Sequence, residues 1–289
     1  MNNENENEIE SIDPIDTLVI SGASTKVIAF IGIFRALYEK GILSPDLKGI
    51  KHISCVSIGF FYTIMLLLGV SERVCYECIL KVNFLEVLDL ENIDIDSLLN
   101  DMGLIDHSKV TIPARTIIRD KFKKEDLTLL ELYEYTQIKI SVKCINVNRQ
   151  QVEIFDHSNS PDLSILQLLL MTTAIPTFFK PIKYNDNYYV DGGVNGNLPI
   201  EALDSDKYLC INICQGIKRF EESEYPIIPF LLKLACISSV SYDKYLARTI
   251  KIILDVGTIQ FDISEEEKKE IITKSYNDTM IQINDKFIS

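Results

Sequence analysis

Short runs of β-branched residues alternate with helical segments in the first part of the chain. The run "TLVIS" (17–21) precedes the helix-like run "KVIAFIGIFRALYEKG" (26–41), and "KHISCV" (51–56) leads directly into "SIGFFYTIMLLLG" (57–69). Strands that alternate with helices in this way form parallel sheets, and the crossover helices cover the faces of the sheet. This order predicts an α/β fold.

The rest of the chain continues the alternation, and no repeat or linker divides it. Consecutive strands are predicted on either side of Arg149-Gln150, a helix stops at Pro176, and "FFKPIKYNDNYYVDGG" has the pattern of a hairpin. A further strand is predicted at "DKYLCINIC", and mainly helices beyond Tyr225. We therefore expect one domain with a central, mostly parallel sheet and helices on both faces.

Charge and composition argue against several classes of function. The 289 residues carry a net charge of −13, which opposes binding to nucleic acid and docking on an anionic membrane by charge alone. The seven cysteines lie mostly in apolar runs and are expected to be buried thiols of a reducing compartment. No cluster of Asp, Glu and His has metal-ligand spacing. We expect neither a bound metal nor a cofactor.

The N-terminus and two apolar stretches bear on targeting. Residues 1–15 begin with the polar, acidic run MNNENENEIE, so we expect a disordered tail and no signal peptide. The stretch from Ile53 to Val70 begins as a strand and leaves a helix too short to span a bilayer. The segment 226–240 is interrupted by Lys233 and is expected in the core or at an interface. These features predict a soluble, cytoplasmic protein.

Ser57 lies where a strand runs directly into a helix. The local sequence Cys55-Val56-Ser57-Ile58-Gly59 is similar to the nucleophile elbow G-x-S-x-G, with Cys55 in place of the first glycine. The elbow exposes the serine oxygen, and the helix N-terminus favours a developing anion there. A serine that only caps a core helix would have the same sequence position. The stretch alone does not decide between the two.

A serine nucleophile needs a base. His52, His107 and His157 do not follow the last strand, as a Ser, acid, His triad would require, so we interpret them as surface residues. Asp191 is the better candidate, because it ends an apolar strand and two glycines follow it. A simple Asp-Gly hairpin turn is the alternative.

Three separated segments resemble the patatin-like phospholipases. "LVISGASTKVIAFIGIFRALYEKGI" resembles the first strand, oxyanion loop and first helix of that family, and the elbow follows it. "LQLLLMTTAIPTFFKPIKYNDNYYVDGGVNGNLPIEAL" resembles the family's helix, Ala-Ile-Pro turn and Asp-Gly-Gly segment, which here contains Gly192 and Gly193. The resemblance covers about residues 17–204. It implies a patatin-like α/β sandwich, with a catalytic core at 16–205 and a C-terminal strand and helices (206–289) on the same domain.

The resemblance also implies a mechanism. Asp191 would take the proton of Ser57, as in the family's Ser–Asp dyad, and the serine would form an acyl-enzyme. The oxyanion would be held by backbone N–H groups of a loop and of the residue after the nucleophile, here Gly22, Ala23, Ser24, Thr25 and Ile58. Lys26 matches the basic residue of that loop. It would hold the loop or an anionic head group, or it is a solvated residue at a helix start.

The loop departs from the family pattern Gly-Gly-Gly-x-Lys/Arg-Gly. Ala23, Ser24 and Val27 stand where glycines are expected. If Ala23 or Ser24 takes a positive φ, each costs roughly 1–2 kcal/mol relative to glycine, and the loop could relieve this strain by turning its N–H groups away. Alternatively, both residues have negative φ, the amides are correctly aimed, and the Ser24 hydroxyl adds a donor. Because the elbow serine, Gly59 and the Asp-Gly-Gly segment are retained, we expect weak but real activity, and a higher kcat with little change in KM once both glycines are restored.

Three functions fit these residues. The first, which we favour, is a lipid acyl hydrolase that cleaves fatty-acyl esters of phospholipids or related lipids. It would contact a membrane only peripherally and transiently. The second is a catalytically weak or inactive relative that binds lipid or a protein partner through the same cleft. The third is a general esterase without interfacial activity. The sequence leaves open the head group, the acyl position and any need for a protein activator.

Overall fold

The computed structural model describes residues 14–87, 100, 102–216, 241–257 and 260–287. The expected tail at residues 1–15 lies outside these residues except for its last two positions. The expectation for 226–240 lies outside them entirely. None of the helices in the described ranges combines the length and the apolar composition needed to cross a bilayer.

Ten strands are found in the described residues. They are β1 Thr17–Ile20, β2 His52–Val56, β3 Gly103–Ile105, β4 Lys139–Asn146, β5 Gln151–Phe155, β6 Thr177–Phe179, β7 Ile182–Tyr184, β8 Asn187–Asp191, β9 Tyr208–Gln215 and β10 Thr249–Leu254.

Eight α-helices lie in the same part of the chain. They are α1 Ala29–Glu39, α2 Ile58–Leu67, α3 Glu72–Lys81, α4 Phe84–Val87, α5 Ile112–Phe122, α6 Leu129–Thr136, α7 Ile165–Thr173 and α8 Glu265–Phe287.

The main sheet has the order β10-β9-β1-β2-β4-β8-β7, and β5 pairs with β4 outside this path. The five strands from β10 to β4 are parallel. Strands β5, β7 and β8 are antiparallel to their neighbours. β3 and β6 form a separate two-stranded parallel sheet. The prediction of an α/β domain with a mostly parallel sheet is confirmed.

The two faces of the main sheet bury different residues. Leu18 and Ile20 of β1 belong to the large core that also contains the apolar sides of α1, α2 and α7. Val19, between them, packs with Leu198 and Cys210 in a second cluster. Residues of the 3₁₀ helices Ile200–Ala202 and Asp243–Arg248 pack against that cluster. Helical segments therefore cover both faces, so β1 is buried along its whole length.

Beyond Tyr225 the described residues are mainly helical, as predicted, but they also contain strand β10, which was not predicted from the sequence. It pairs in parallel with β9 at the end of the sheet. Lys251 and Ile253 are exposed while their neighbours are buried, a period-2 pattern too short for sequence alone to separate from helix. The backbone of Lys251 faces α8, where Gln282 Oε1 accepts its N–H at 2.9 Å and Gln282 Nε2 donates to its carbonyl at 2.9 Å.

Helix α8 packs closely against α1 at Gly32. A Cβ on Gly32 would lie 2.2 Å from Ile272 O and 2.4 Å from Ser275 Oγ, so the two helices approach more closely than any side chain allows. Gly32→Ala is therefore expected to lower the free energy of unfolding by about 1–3 kcal/mol, the usual cost of overpacking. Urea unfolding measures this loss.

Gly216→Ala is the matched control, because a Cβ there meets nothing closer than 3.8 Å. It should shift the urea midpoint much less than Gly32→Ala. Equal midpoints for Gly32→Ala and the wild type would contradict the close contact between α1 and α8.

Candidate active site

Ser57 occupies a strained turn between β2 and α2. Its backbone has φ 56° and ψ −139°, in the left-handed half of conformational space, which costs a residue with a side chain roughly 1–2 kcal/mol. Its side chain makes no capping hydrogen bond to α2, so helix capping does not account for this serine. Gly59 allows the turn to close, since a Cβ there would lie 2.4 Å from Ser21 O. Cys55 is fully buried in β2.

Asp191 contacts the serine directly. Ser57 Oγ donates to Asp191 Oδ2 at 2.5 Å, and Gly193 N–H donates to Asp191 Oδ1 at 2.7 Å. Gly192 begins the short 3₁₀ helix that brings this N–H to the carboxylate. Asp191 is the last residue of β8, and the hairpin turn lies earlier, at Asn185 and Asp186, both with positive φ. The simple turn proposed as the alternative is therefore not the role of Asp191.

Burial changes the acidity of Asp191. The side chain is 5% exposed, and loss of water raises its pKa from 3.8 to about 6, against the opposing effects of the bonds from Ser57 and Gly193. The buried ammonium of Lys143 also opposes the rise. It donates to the carbonyl of Asn195 at 2.7 Å and to that of Gly196 at 3.0 Å. A carboxylate with a raised pKa is a stronger base than an exposed one.

The loop after β1 lies beside the serine, and its residues differ in their backbone hydrogen bonds and in their φ angles. Gly22 N–H already donates to Asn197 O at 3.2 Å, and Asn197 Nδ2 donates back to Gly22 O at 2.8 Å. Ala23 has φ −146°, whereas Ser24 has φ 52°. Ile58 begins α2, where a first-turn N–H has no acceptor within the helix. The Gly22 N–H is therefore committed to Asn197, whereas the Ile58 N–H lies next to Ser57 at the start of α2.

Lys26 is not a solvated residue at a helix start. It is 4% exposed, and Nζ lies 3.4 Å from Val256 O, an acceptor 230 positions along the chain. Burial lowers the pKa of its ammonium to about 8. The neighbouring Thr25 Oγ1 donates to Gln260 O at 2.8 Å. Lys26 and Thr25 thus connect the loop to the segment between β10 and α8.

The interpretation of all three histidines as surface residues is wrong for two of them. His52 is buried, with Nε2 2.9 Å from Ser141 Oγ, and His107 is buried, with Nε2 3.0 Å from Leu170 O. His157 is partly exposed and stacks on Tyr133. Each ring has contacts of its own, and the group that contacts Ser57 Oγ is Asp191.

Comparison with known proteins identifies the family of the segment that carries this site. The family model described as "Patatin-like phospholipase" matches residues 18–204, which include both Ser57 and Asp191. The chain belongs to the patatin-like phospholipase family.

Two viral proteins resemble this patatin-like chain. "Probable lipid hydrolase 463L" of Invertebrate iridescent virus 6 is 29% identical over 185 residues, which are 64% of this chain and 62% of that protein. "Uncharacterized protein R571" of Acanthamoeba polyphaga mimivirus is 26% identical over an alignment of 283 residues that covers 88% of this chain and 89% of that protein. The match to the iridescent-virus protein thus spans less than two thirds of its length.

Solved structures share the patatin-like fold. VipD from Legionella pneumophila superposes with a TM-score of 0.64 at 17% identity, over 94% of this chain and 67% of that one. ExoU from Pseudomonas aeruginosa, in complex with SpcU, gives a TM-score of 0.56 at 17% identity, over 96% of this chain and 54% of that one. At such low identity these structures establish the fold alone.

Three residues around the patatin-like site were not singled out from the sequence. Lys143 lies in β4 and Thr172 in α7, and neither carries a local pattern that marks it. Asn197 could have been found, since it follows the Asp-Gly-Gly segment in "VNGNLPIEAL". It bonds to both backbone groups of Gly22 and so joins the loop to the chain after Asp191.

The φ angles of Ala23 and Ser24 change the gain in kcat that is expected when glycines are restored in the loop. Ala23 does not need positive φ, and Ser24 already has the left-handed conformation that a glycine would take. Ser24→Gly should therefore leave the loop N–H groups where they are and change kcat by about threefold or less, far below the roughly 10²-fold effect of one oxyanion donor. Steady-state kinetics on an ester, with Ala23→Gly beside it, test this. A gain of tenfold or more in Ser24→Gly would show that the serine distorts the loop.

Proposed function

We propose that this protein is a lipid acyl hydrolase that cleaves fatty-acyl esters of phospholipids or related lipids through a Ser57–Asp191 dyad. The observation that carries the proposal is the 2.5 Å hydrogen bond from Ser57 Oγ to Asp191 Oδ2, in a site where both side chains are buried. Family membership supports the substrate class. The elbow and the raised pKa of Asp191 support the roles of nucleophile and base.

The reaction has two steps. Ser57 Oγ attacks the ester carbonyl carbon and gives its proton to Asp191 Oδ2. The tetrahedral intermediate then collapses, the bond to the alcohol breaks, and the alcohol oxygen takes that proton and leaves. Water next attacks the acyl-enzyme and gives a proton to Asp191, and the proton returns to Ser57 Oγ as the fatty acid leaves. The dyad ends each cycle as it began.

The oxyanion is assigned to the N–H groups of Ala23, Ser24, Thr25 and Ile58. Gly22 is left out of this set because its N–H bonds to Asn197 O. The N-terminus of α2 adds a partial positive charge next to Ser57, which favours the anion that forms there. Each well-aimed donor contributes roughly 10²–10³-fold to kcat.

A second candidate is a weak or inactive relative that binds lipid or a protein partner in the same cleft. The observation in its favour is the commitment of Gly22 N–H to Asn197, which removes one donor from the loop. A fluorophosphonate separates the two, because it labels only a serine that attacks. Wild type that remains unlabelled would favour the binding protein.

Hydrolysis of a panel of lipids, with wild type beside Ser57→Ala, tests the proposal. The panel contains phospholipids with neutral and anionic head groups, a triacylglycerol and a short-chain nitrophenyl ester. Release of fatty acid by wild type alone supports the lipid hydrolase. A preference for aggregated over monomeric substrate would separate it from a general esterase. Equal release by Ser57→Ala would end the dyad proposal.

The dyad supplies both nucleophile and base, so hydrolysis is expected to proceed without a divalent metal. Dialysis against EDTA should leave the rate on neutral micelles unchanged. The assay uses neutral micelles because calcium can bridge an acidic protein to anionic lipid without any role in the reaction. Activity that is lost on chelation and restored by calcium on neutral micelles would contradict this prediction.

A further inference from the structure

The backbone N–H of Ser57 does not continue the ladder between β2 and β4. The last residues in register are Val56 and Lys143, and the left-handed turn at Ser57 then directs the chain away from the sheet. The Ser57 N–H donates instead to the side chain of Thr172, with Oγ1 2.8 Å from the nitrogen. Thr172 is fully buried in α7.

The Thr172 hydroxyl is committed on both sides. It accepts the N–H of Ser57 and donates its own proton to Lys143 O at 2.8 Å. Since an amide can only donate and a carbonyl can only accept, the direction of both bonds is fixed. The hydroxyl therefore bridges the Ser57 N–H and the Lys143 carbonyl at the point where direct backbone pairing between β2 and β4 ends. A methyl group in its place would leave a buried donor and a buried acceptor unpaired.

The end of the same helix also holds the other member of the dyad. Ala174, two residues after Thr172, accepts the backbone N–H of Asp191 at 2.9 Å. Asp191 is in register with Cys144, the neighbour of the residue whose carbonyl Thr172 contacts. The C-terminal end of α7 therefore touches the nucleophile through a side chain and the base through a carbonyl.

We propose that Thr172 is a positioning residue for the nucleophile: its hydroxyl holds Ser57 in the left-handed conformation that aims Oγ at Asp191. The proposal rests on the dyad function above and adds a residue that touches neither substrate nor the transferred proton. Misplacement of a reacting atom by about 1 Å costs on the order of 10²-fold in rate. Loss of the hydroxyl should therefore lower kcat with little effect on KM.

Three variants of the full chain test the proposal. Thr172→Val keeps the shape and removes both hydrogen bonds, and Thr172→Ser keeps the hydroxyl. Thr63→Val is the matched control, since Thr63 is equally buried and its hydroxyl donates to Gly59 O within α2 rather than to a group of the dyad. The measurements are the second-order rate of fluorophosphonate labelling, and kcat and KM on p-nitrophenyl butyrate, well below the melting temperature of every variant.

Thr172→Val is expected to lose about 10–100-fold in kcat and in labelling rate at nearly constant KM. Thr172→Ser and Thr63→Val should each stay within about threefold of wild type. If Thr172→Val does not fold, Thr172→Cys serves instead, because a thiol is a weak donor and acceptor, and labelling should be about tenfold slower.

The outcomes separate this proposal from the proposed function. Labelling of Thr172→Val within threefold of wild type would overturn the positioning role and leave the dyad intact. If Thr172→Ser or Thr63→Val lost as much labelling rate as Thr172→Val, the loss would reflect general damage to the core. This result would also overturn the positioning role. Wild type that neither reacts with the fluorophosphonate nor hydrolyses the ester would overturn the dyad itself.

Discussion

Ser57→Ala is expected to lower kcat for ester hydrolysis by on the order of 10⁴-fold or more, because it removes the atom that forms the acyl-enzyme. The fold should survive, since the Ser57 side chain makes no cap to α2 and its contact is with Asp191. Circular dichroism and urea unfolding check the fold. Steady-state hydrolysis and fluorophosphonate labelling check the reaction.

Ser141→Ala is the matched control. Ser141 is as buried as Ser57 and lies on the adjacent strand β4, where its hydroxyl contacts His52. This variant should still hydrolyse ester and still be labelled, even if it is less stable. A Ser57→Ala preparation that keeps wild-type activity would mean that another residue is the nucleophile.

Asp191→Asn is expected to abolish turnover to a similar extent while making the protein more stable at neutral pH. The pKa of Asp191 is about 6 in the folded protein and 3.8 for an unperturbed carboxyl. The unfolded chain therefore loses this proton at a lower pH, and ionisation of Asp191 destabilises the folded state. Between pH 4 and pH 6 this contribution lowers the stability of wild type as pH rises, by about 3 kcal/mol at most.

Urea unfolding at pH 4 and pH 8 measures this difference. Asp191→Asn should gain up to about 3 kcal/mol over wild type at pH 8 and much less at pH 4. Asp186→Asn, at the exposed turn before β8, removes a carboxylate outside the site and is the control. The kcat/KM of wild type should fall as pH drops through about 6, because a protonated Asp191 is no longer a base. A flat profile there would contradict the assigned base.

The parts of the site that the sequence predicts are those with local backbone requirements. A strand, a serine and a helix in succession demand a sharp turn, and Gly59 supplies the space for it. Asp191 follows an apolar strand and precedes two glycines, so its place at the end of β8 is also encoded locally. Both features lie within a few residues of chain. For that reason a sequence alone is enough to find them.

The parts of the site that the sequence does not predict depend on contacts between residues that are far apart in the chain. Lys26 is buried because the loop packs against Val256 and Gln260. The sequence near position 26 contains no pattern that predicts this contact. His52 and Ser141 meet across two neighbouring strands. Thr172 reaches Ser57 over 115 positions. Polar groups such as these look like ordinary members of apolar elements until the strands and helices are assembled.

Helix α8 covers both the groove of α1 at Gly32 and the backbone of Lys251 in β10. This arrangement affects how the chain folds during synthesis. Helix α1 and its groove at Gly32 leave the ribosome more than two hundred residues before α8 does, and β10 also precedes it. Until α8 docks, the backbone of Lys251 has no Gln282 to bond to, and the outer edge of the sheet can accept a strand from another nascent chain. Docking of α8 therefore fills the groove at Gly32 and binds the backbone of Lys251 in the same step.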